Sequence, residues 1–253
     1  MAPPSAGAGS PRSAAVTTLS QSRFIDAVLD SDYPLIMEVK RRSAEGEDLM
    51  LGRTPTELVE LFERGGAPCI SVVTGRWFGG DGQLLAEVAA ATDRPILQKD
   101  FLTRRDQLER SAEAGVSAVL LTVQLLHRDS LSSLIDHSLA IGLTPFVEAV
   151  SAAEIAMIPR AEECVIAVNN KQIRDRESGP ANLARSLEMI DLVVATGTRL
   201  PVSASGIDTQ GSVERLISSG YRGLLVGTSL LAGGLADRLS DPERAGSATA
   251  TAR

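Results

Sequence analysis

Short continuous apolar runs alternate, along most of this chain, with longer stretches in which apolar residues recur every third or fourth position. The runs are Leu35 to Val39, Cys69 to Val73, Pro95 to Gln98, Ala118 to Leu121, Thr144 to Glu148, Val165 to Val168, Pro201 to Ser203 and Gly223 to Val226. They lack the one-sided polar alternation of a solvated antiparallel sheet and read as parallel strands covered on both faces. Helix starts lie between them. Thr54-Pro55-Thr56 with Glu57 opens Leu58, Leu61 and Phe62, and Asp208-Thr209 opens Val213, Leu216 and Ile217. Eight strand–helix units in roughly 200 residues predict an α/β fold of the closed (β/α)8 TIM-barrel kind. An open doubly wound sheet is the alternative, and it lacks a G-x-G-x-x-G opening its first unit. The amphipathic stretch from Thr18 to Leu29 predicts an extra N-terminal helix capping one end of the barrel.

The two ends of the chain lose this pattern. Residues 1–16 are mostly Ala, Ser, Pro and Gly, and the chain from Ser240 onward has the same character. They read as flexible tails, 1–16 and 240–253, around a single barrel domain over 17–239. The composition, 253 residues with 43% hydrophobic and 23% charged, suits one globular domain with a full core. A formal net charge of -7 supplies no sequence-wide basic field, so neither nucleic acid nor an anionic membrane is an expected partner. No run of ~20 apolar residues is present, and the opening Met-Ala-Pro-Pro-Ser lacks the charged and apolar regions of an export signal. A cytoplasmic protein is expected. Cys69 and Cys164 stand apart at the heads of apolar runs, without Cys-x-x-Cys or a Cys/His cluster, and are read as reduced core residues rather than metal ligands. No metal and no organic cofactor are expected.

In a barrel, catalysis belongs at the C-terminal ends of the strands. The chain has three lysines, Lys40, Lys99 and Lys171, against twenty-two arginines. Each lysine falls just beyond a predicted strand: the first, the third and the sixth. Arginine stays protonated, whereas lysine can be tuned to give and take a proton, so this placement points to chemistry rather than solvation. Glu38 precedes Lys40 by two and shares its face, and Glu148 ends the fifth run. A mouth holding these four groups can run proton transfers; the plainer reading is a set of rim salt bridges. After the last two strands come Ser203-Ala-Ser-Gly-Ile207 and Val226-Gly-Thr-Ser-Leu230, each leading into a helix. In many barrels this corner seats a phosphate on backbone N–H groups. Gly206 and Gly227 permit close backbone approach, and Ser205 and Thr228 add hydroxyls, which suggests a phosphorylated small-molecule substrate. Trp77 and Phe78, after the second strand, are candidates to stack on an aromatic ring. His127 and His137 lie on or beside the helix after the fourth strand, are expected to be exposed, and take no part.

These segments resemble the indole-3-glycerol phosphate synthase family, from about Phe24 to Leu231. The family's first-strand motif I-A-E-I-K-R-x-S-P appears as Ile36-Met-Glu-Val-Lys-Arg-Arg-Ser-Ala44, its K-D-F as Lys99-Asp-Phe101 and its V-E as Val147-Glu148. Its N-N-R appears as Asn169-Asn-Lys171, its E-S-G-I as Ala204-Ser-Gly-Ile207, and a shortened aromatic and glycine segment as Thr74-Gly-Arg-Trp-Phe-Gly-Gly80. The resemblance implies a carboxy-lyase of tryptophan biosynthesis that closes the ring of 1-(2-carboxyphenylamino)-1-deoxyribulose 5-phosphate with loss of carbon dioxide and water. It implies Lys99 as general acid on the ketone, Glu148 as base in the dehydration and Lys40 on the substrate carboxylate. Glu38 and Asn169 would complete the polar network, and Ser43 and Lys171 would join the phosphate corner. It also leaves room for contact with other tryptophan-pathway enzymes.

Three positions depart from the family pattern. Ala204 stands where the family has a glutamate facing the reacting end of the substrate, Lys171 where it has arginine, and Ser43-Ala44-Glu45 where it has serine-proline-serine. Lys171 offers a point charge in place of a bidentate fork. Two alternatives therefore stay open: a relative in secondary metabolism acting on a modified anthranilate-derived ribulose phosphate, and a barrel that binds such a phosphate without turning it over.

Overall fold

The computed structural model describes residues 21–172, 179–232 and 235. Eight strands, β1 (Leu35–Val39), β2 (Ile70–Val73), β3 (Ile96–Lys99), β4 (Ala118–Thr122), β5 (Thr144–Ala149), β6 (Val165–Asn169), β7 (Leu200–Ala204) and β8 (Gly223–Val226), pair in sequence order. All pairings are parallel, and β8 returns to β1 with Ile36 opposite Leu225, so the sheet is closed and the open alternative is excluded.

Around the barrel run α2 (Pro55–Arg64), α3 (Gly82–Ala91), α4 (Arg105–Glu113), α5 (Arg128–Ala140), α6 (Ala152–Ile155), α7 (Leu183–Ala195), α8 (Gln210–Ser218) and α9 (Thr228–Ala232). The start signals act as the sequence indicates. The Thr54 hydroxyl accepts the Glu57 N–H at 3.2 Å, and the Glu57 carboxylate accepts the Thr54 N–H at 2.7 Å, which satisfies two donors that the first turn leaves open. At α8 the cap is Thr209, whose Oγ1 accepts from Ser212 N at 3.1 Å, while Asp208 stays outside the helix. The fifth unit differs from expectation: α6 is a single turn. Pro159 follows closely and has no N–H to extend it, and the chain passes through Arg160 at φ 50 before β6.

Two buried apolar clusters follow from the two-residue period of the strands. One lies between barrel and helices and includes Met37, Val72, Val119, Val147 and Val168. The other fills the barrel with Ile36, Leu97, Leu120, Phe146, Ala167, Val202 and Leu225. The extra helix, α1 (Arg23–Leu29), closes the N-terminal end of that interior; residues 18–20 of the expected helix lie outside the described residues. Phe24 meets Phe146 edge-on at 6.2 Å, and Ser22 shares a 2.6 Å hydrogen bond with Thr144 at the start of β5. Arg199 pairs with Asp26 at 2.7 Å. The tails read as 1–16 and 240–253 also lie outside the described residues. Cys69 and Cys164 are free thiols in the core, and burial pushes the Cys164 thiol up to about 12. Among the described residues no helix is long and apolar enough to cross a membrane.

Candidate active site

Stepping by two from the barrel's interior residues toward the C-terminal ends of the strands brings the apolar filling to an end and the polar residues to the front. Ile36 leads to Glu38 and Lys40, Leu97 to Lys99, Phe146 to Glu148, Ala167 to Asn169, Val202 to Ala204 and Leu225 to Gly227. All of these share the inward face. Glu38, Lys40, Lys99, Glu148 and Asn169 are each less than 8% exposed, too buried for a solvated rim. Lys99 Nζ lies 3.5 Å from Glu38 Oε2. Lys40 Nζ sits 4.2 Å from the centre of the Phe78 ring, where the ring face attracts a cation.

Two recesses meet at Lys40 and Lys99. The larger, about 300 Å³, opens toward the turns after β7 and β8 and is lined by Glu38, Lys171, Ser205, Gly206, Gly227 and Thr228 among others. All three lysines of the chain line it. The smaller lies on the opposite side, between Val73, Phe78, Phe101, Leu120 and Glu148. A chamber of mixed polar and apolar lining and a mostly apolar one thus share a pair of ammonium groups.

The individual candidates take different parts. Ser43 lines the larger recess, yet its hydroxyl accepts the N–H groups of Glu45 and Glu47, each at 3.2 Å, and so organises its own loop. Arg41 ties that loop to the turn after β2 through Gly79 O at 3.1 Å and Asp81 at 3.0 Å. Lys171 is positioned through its backbone: Asn169 Oδ1 accepts its N–H at 2.9 Å, and Arg185 donates to its carbonyl at 3.1 Å. Gly227 leaves room for the Glu38 carboxylate, since a Cβ there would stand 2.9 Å from Glu38 Oε1. Of the aromatic pair, Phe78 lines the apolar recess, but Trp77 is 55% exposed and lines neither recess. The short helical turn Arg76–Phe78 places two successive side chains on different sides, so only one faces inward. His127 is exposed as expected; His137 is instead half-buried, with its Nε2 3.2 Å from Glu109 Oε1 on the outer helices.

Several residues of the site escape a motif reading. Glu45, Glu47 and Asp208 line the solvent-exposed edge of the larger recess and set negative charge outside the buried lysines. Asn170, one residue past the inward Asn169, faces the opposite way and enters a buried network with Ser186 and Ser203. Parity carried the signal, because a polar residue on the helix-facing side of a barrel must find partners there. Among the described residues no group of three or more His, Cys, Asp or Glu side chains converges as a metal centre.

Fold and mouth together define a (β/α)8 barrel of the enzyme class, with a lysine–carboxylate site at the C-terminal ends of its strands. The chain belongs to the indole-3-glycerol phosphate synthase family: that family's model matches residues 9–237. It is 32% identical over 212 residues to the indole-3-glycerol phosphate synthase of Pyrococcus abyssi, covering 83% of this chain and 88% of that protein. It is 36% identical over 213 residues to that of Kineococcus radiotolerans, covering 83% and 73%. Among solved structures, a tryptophan synthase α-subunit mutant from Pyrococcus furiosus superposes with a TM-score of 0.58 at 13% identity, covering 79% of this chain and 89% of that one, a likeness of fold alone. The relatives carry the ordinary family name and favour neither the secondary-metabolism reading nor the non-catalytic one.

Proposed function

We infer that the protein is an indole-3-glycerol phosphate synthase, a cytoplasmic carboxy-lyase that converts 1-(2-carboxyphenylamino)-1-deoxyribulose 5-phosphate to indole-3-glycerol phosphate, carbon dioxide and water. The observation that carries this reading is the meeting, at two buried lysines, of a recess that contains all three lysines and an apolar one. Such a substrate has an aromatic ring at one end, a phosphate at the other and the reacting carbonyl between them. In this reading the ring faces Phe78, Phe101 and Leu120, and the phosphate goes to Lys171 and the turns at Ser205–Gly206 and Gly227–Thr228.

With the substrate so laid, Lys99 stands at the carbonyl. As general acid it protonates the ketone oxygen while the ring carbon attacks, and its 3.5 Å contact with Glu38 holds the ammonium in place. Lys40 holds the ring carboxylate until it leaves as carbon dioxide, when the electron pair returns to the ring. Glu148, on the apolar side and 1% exposed, takes the proton whose removal accompanies loss of the hydroxyl as water. Asn169 fixes Lys171 through the hydrogen bond its side chain accepts from the Lys171 N–H. These steps balance without an outside oxidant or reductant. The test is turnover of the family substrate by purified protein, followed by indole absorbance. Product formation is expected; binding of the substrate without turnover would replace this reading with the non-catalytic barrel.

A further inference from the structure

The turn after β7 has a backbone that needs an external hold. Ser205 and Gly206 both adopt left-handed φ, 70 and 71 degrees, and for a serine this conformation costs of order 1 kcal/mol. A Cβ at Gly206 would also stand 2.1 Å from the Ala181 side chain, so the turn is pressed against the chain that returns toward α7.

One buried side chain supplies the hold. Asn170 is 1% exposed, and each of its polar groups is used. Its amide nitrogen Nδ2 donates to Ala204 O, Ser205 O and Ser203 Oγ, all at 3.1 Å. Its Oδ1 accepts from Ser186 Oγ at 2.8 Å and Ser186 N at 3.3 Å. Its backbone N–H also donates to Ala204 O at 2.9 Å, and its carbonyl accepts from Asn182 N at 2.8 Å. Ser186 Oγ and Ser203 Oγ are 2.8 Å apart, and Tyr221 OH backs the group by donating to Ser186 O at 2.8 Å.

The direction of these bonds carries the functional point. No peptide bond among the described residues is cis, and a planar trans unit holds its N–H opposite its C=O. Asn170 grips the carbonyls of Ala204 and Ser205, which are the carbonyl halves of the two peptide units whose N–H groups belong to Ser205 and Gly206. Fixing both carbonyls on the Asn170 side turns both N–H groups away from it, and Ser205 and Gly206 line the larger recess. We propose that Asn170 is a positioning residue for anion binding: it never touches the substrate, but it sets the two peptide planes whose N–H groups receive the phosphate. The proposal rests on the reading that this recess takes the phosphate end of the substrate. A merely structural asparagine would be satisfied by the β6 and β7 backbone; here one of the three Nδ2 bonds reaches past the end of β7 to the Ser205 carbonyl in the turn.

The test compares Asn170→Ala, Ser203→Ala and Tyr221→Phe with the wild type in four quantities: KM, kcat, the inhibition constant of inorganic phosphate against substrate, and the thermal midpoint. Asn170→Ala is expected to raise KM and the phosphate constant together by about tenfold, and Ser203→Ala, which removes one of its anchors, by about threefold. In both, kcat should fall by a smaller factor than KM rises. Tyr221→Phe loosens the same core without removing a bond to Asn170, so it separates positioning from stability. Phosphate binding that weakens in proportion to the thermal midpoint across all three variants would overturn the proposal, as would an unchanged phosphate constant in folded Asn170→Ala. Where Asn170→Ala does not fold, Ser203→Ala decides alone by the same criterion. A wild type that turns over but is not inhibited by phosphate would instead remove the phosphate assignment of the recess, a separate failure from that of Asn170.

Discussion

The two ends of the barrel are built on opposite principles. At the N-terminal end, α1 presses Phe24, Ile25 and Val28 onto Phe146 and its neighbours, Cys69, Cys164 and Tyr221 are buried at strand entrances, and the charged pair Arg199–Asp26 stays partly exposed. At the C-terminal end, the same two-residue period delivers Glu38, Lys40, Lys99 and Glu148, four ionisable side chains taken out of water. Burying a charge costs free energy that burying a phenylalanine returns. The closed end therefore stabilises the fold, and the open end draws on that stability to hold groups in a state useful to a substrate.

Substitutions at each end should separate these roles. The largest effect is expected from Lys99→Ala, which removes the acid we propose and should lower kcat by about 10²-fold to 10⁴-fold while the circular dichroism of the fold is kept. Near-wild-type turnover in the folded variant would take Lys99 out of the chemistry. At the other end, Phe24→Ala should cost about 3–5 kcal/mol in urea unfolding, with KM and kcat of the folded protein unchanged at 25 °C. A matching loss of activity would mean that the ends are not independent.

Alkaline pH should act on the closed end next. Burial raises the Cys164 thiol from its ordinary 9.0 to about 12, raises that of Cys69 further still, and raises the Tyr221 phenol to about 12. Since the fold favours the protonated forms, its stability is intact below pH 9 and is lost as pH climbs from 9 through 12, where the unfolded chain ionises first. Thermal midpoints measured across that range should fall, and Cys164→Ala should flatten the slope. The smallest change is expected at the open end with Ala204→Glu. Ala204 is fully buried on the inward face, beside Asn169, where the family pattern carries a glutamate. Restoring it should raise turnover of the family substrate by about threefold to tenfold, worth ~1 kcal/mol. Lower activity on that substrate, with higher activity of the unaltered chain on a ring-substituted analogue, would instead mark Ala204 as a specificity determinant.

What was legible beforehand follows from how each feature is written in the chain. Strands are written locally, as apolar runs such as Ala118 to Leu121, and their parallel closure follows from the alternation of strand and helix. Lys40 and Lys99 could be placed at the mouth because each lies at a strand end. The helix after β5 came out as one turn because Pro159 outweighs the apolar periodicity around it. Trp77 and Phe78 part company because adjacent residues in a tight turn point apart, and no periodicity there says which faces in. The hold of Asn170 on the β7 turn was not legible at all: its partners lie 16 residues away on α7 and 33 to 35 away around β7. Such partners meet only after the barrel closes.

The scarcity of lysine has a practical side. Every ε-amino group in this chain lines one recess, so an amine-reactive ester or aldehyde has no decoy site among its side chains. Coupling the protein to a resin through lysine would block its mouth before it anchored its body, whereas its many surface carboxylates offer a harmless point of attachment.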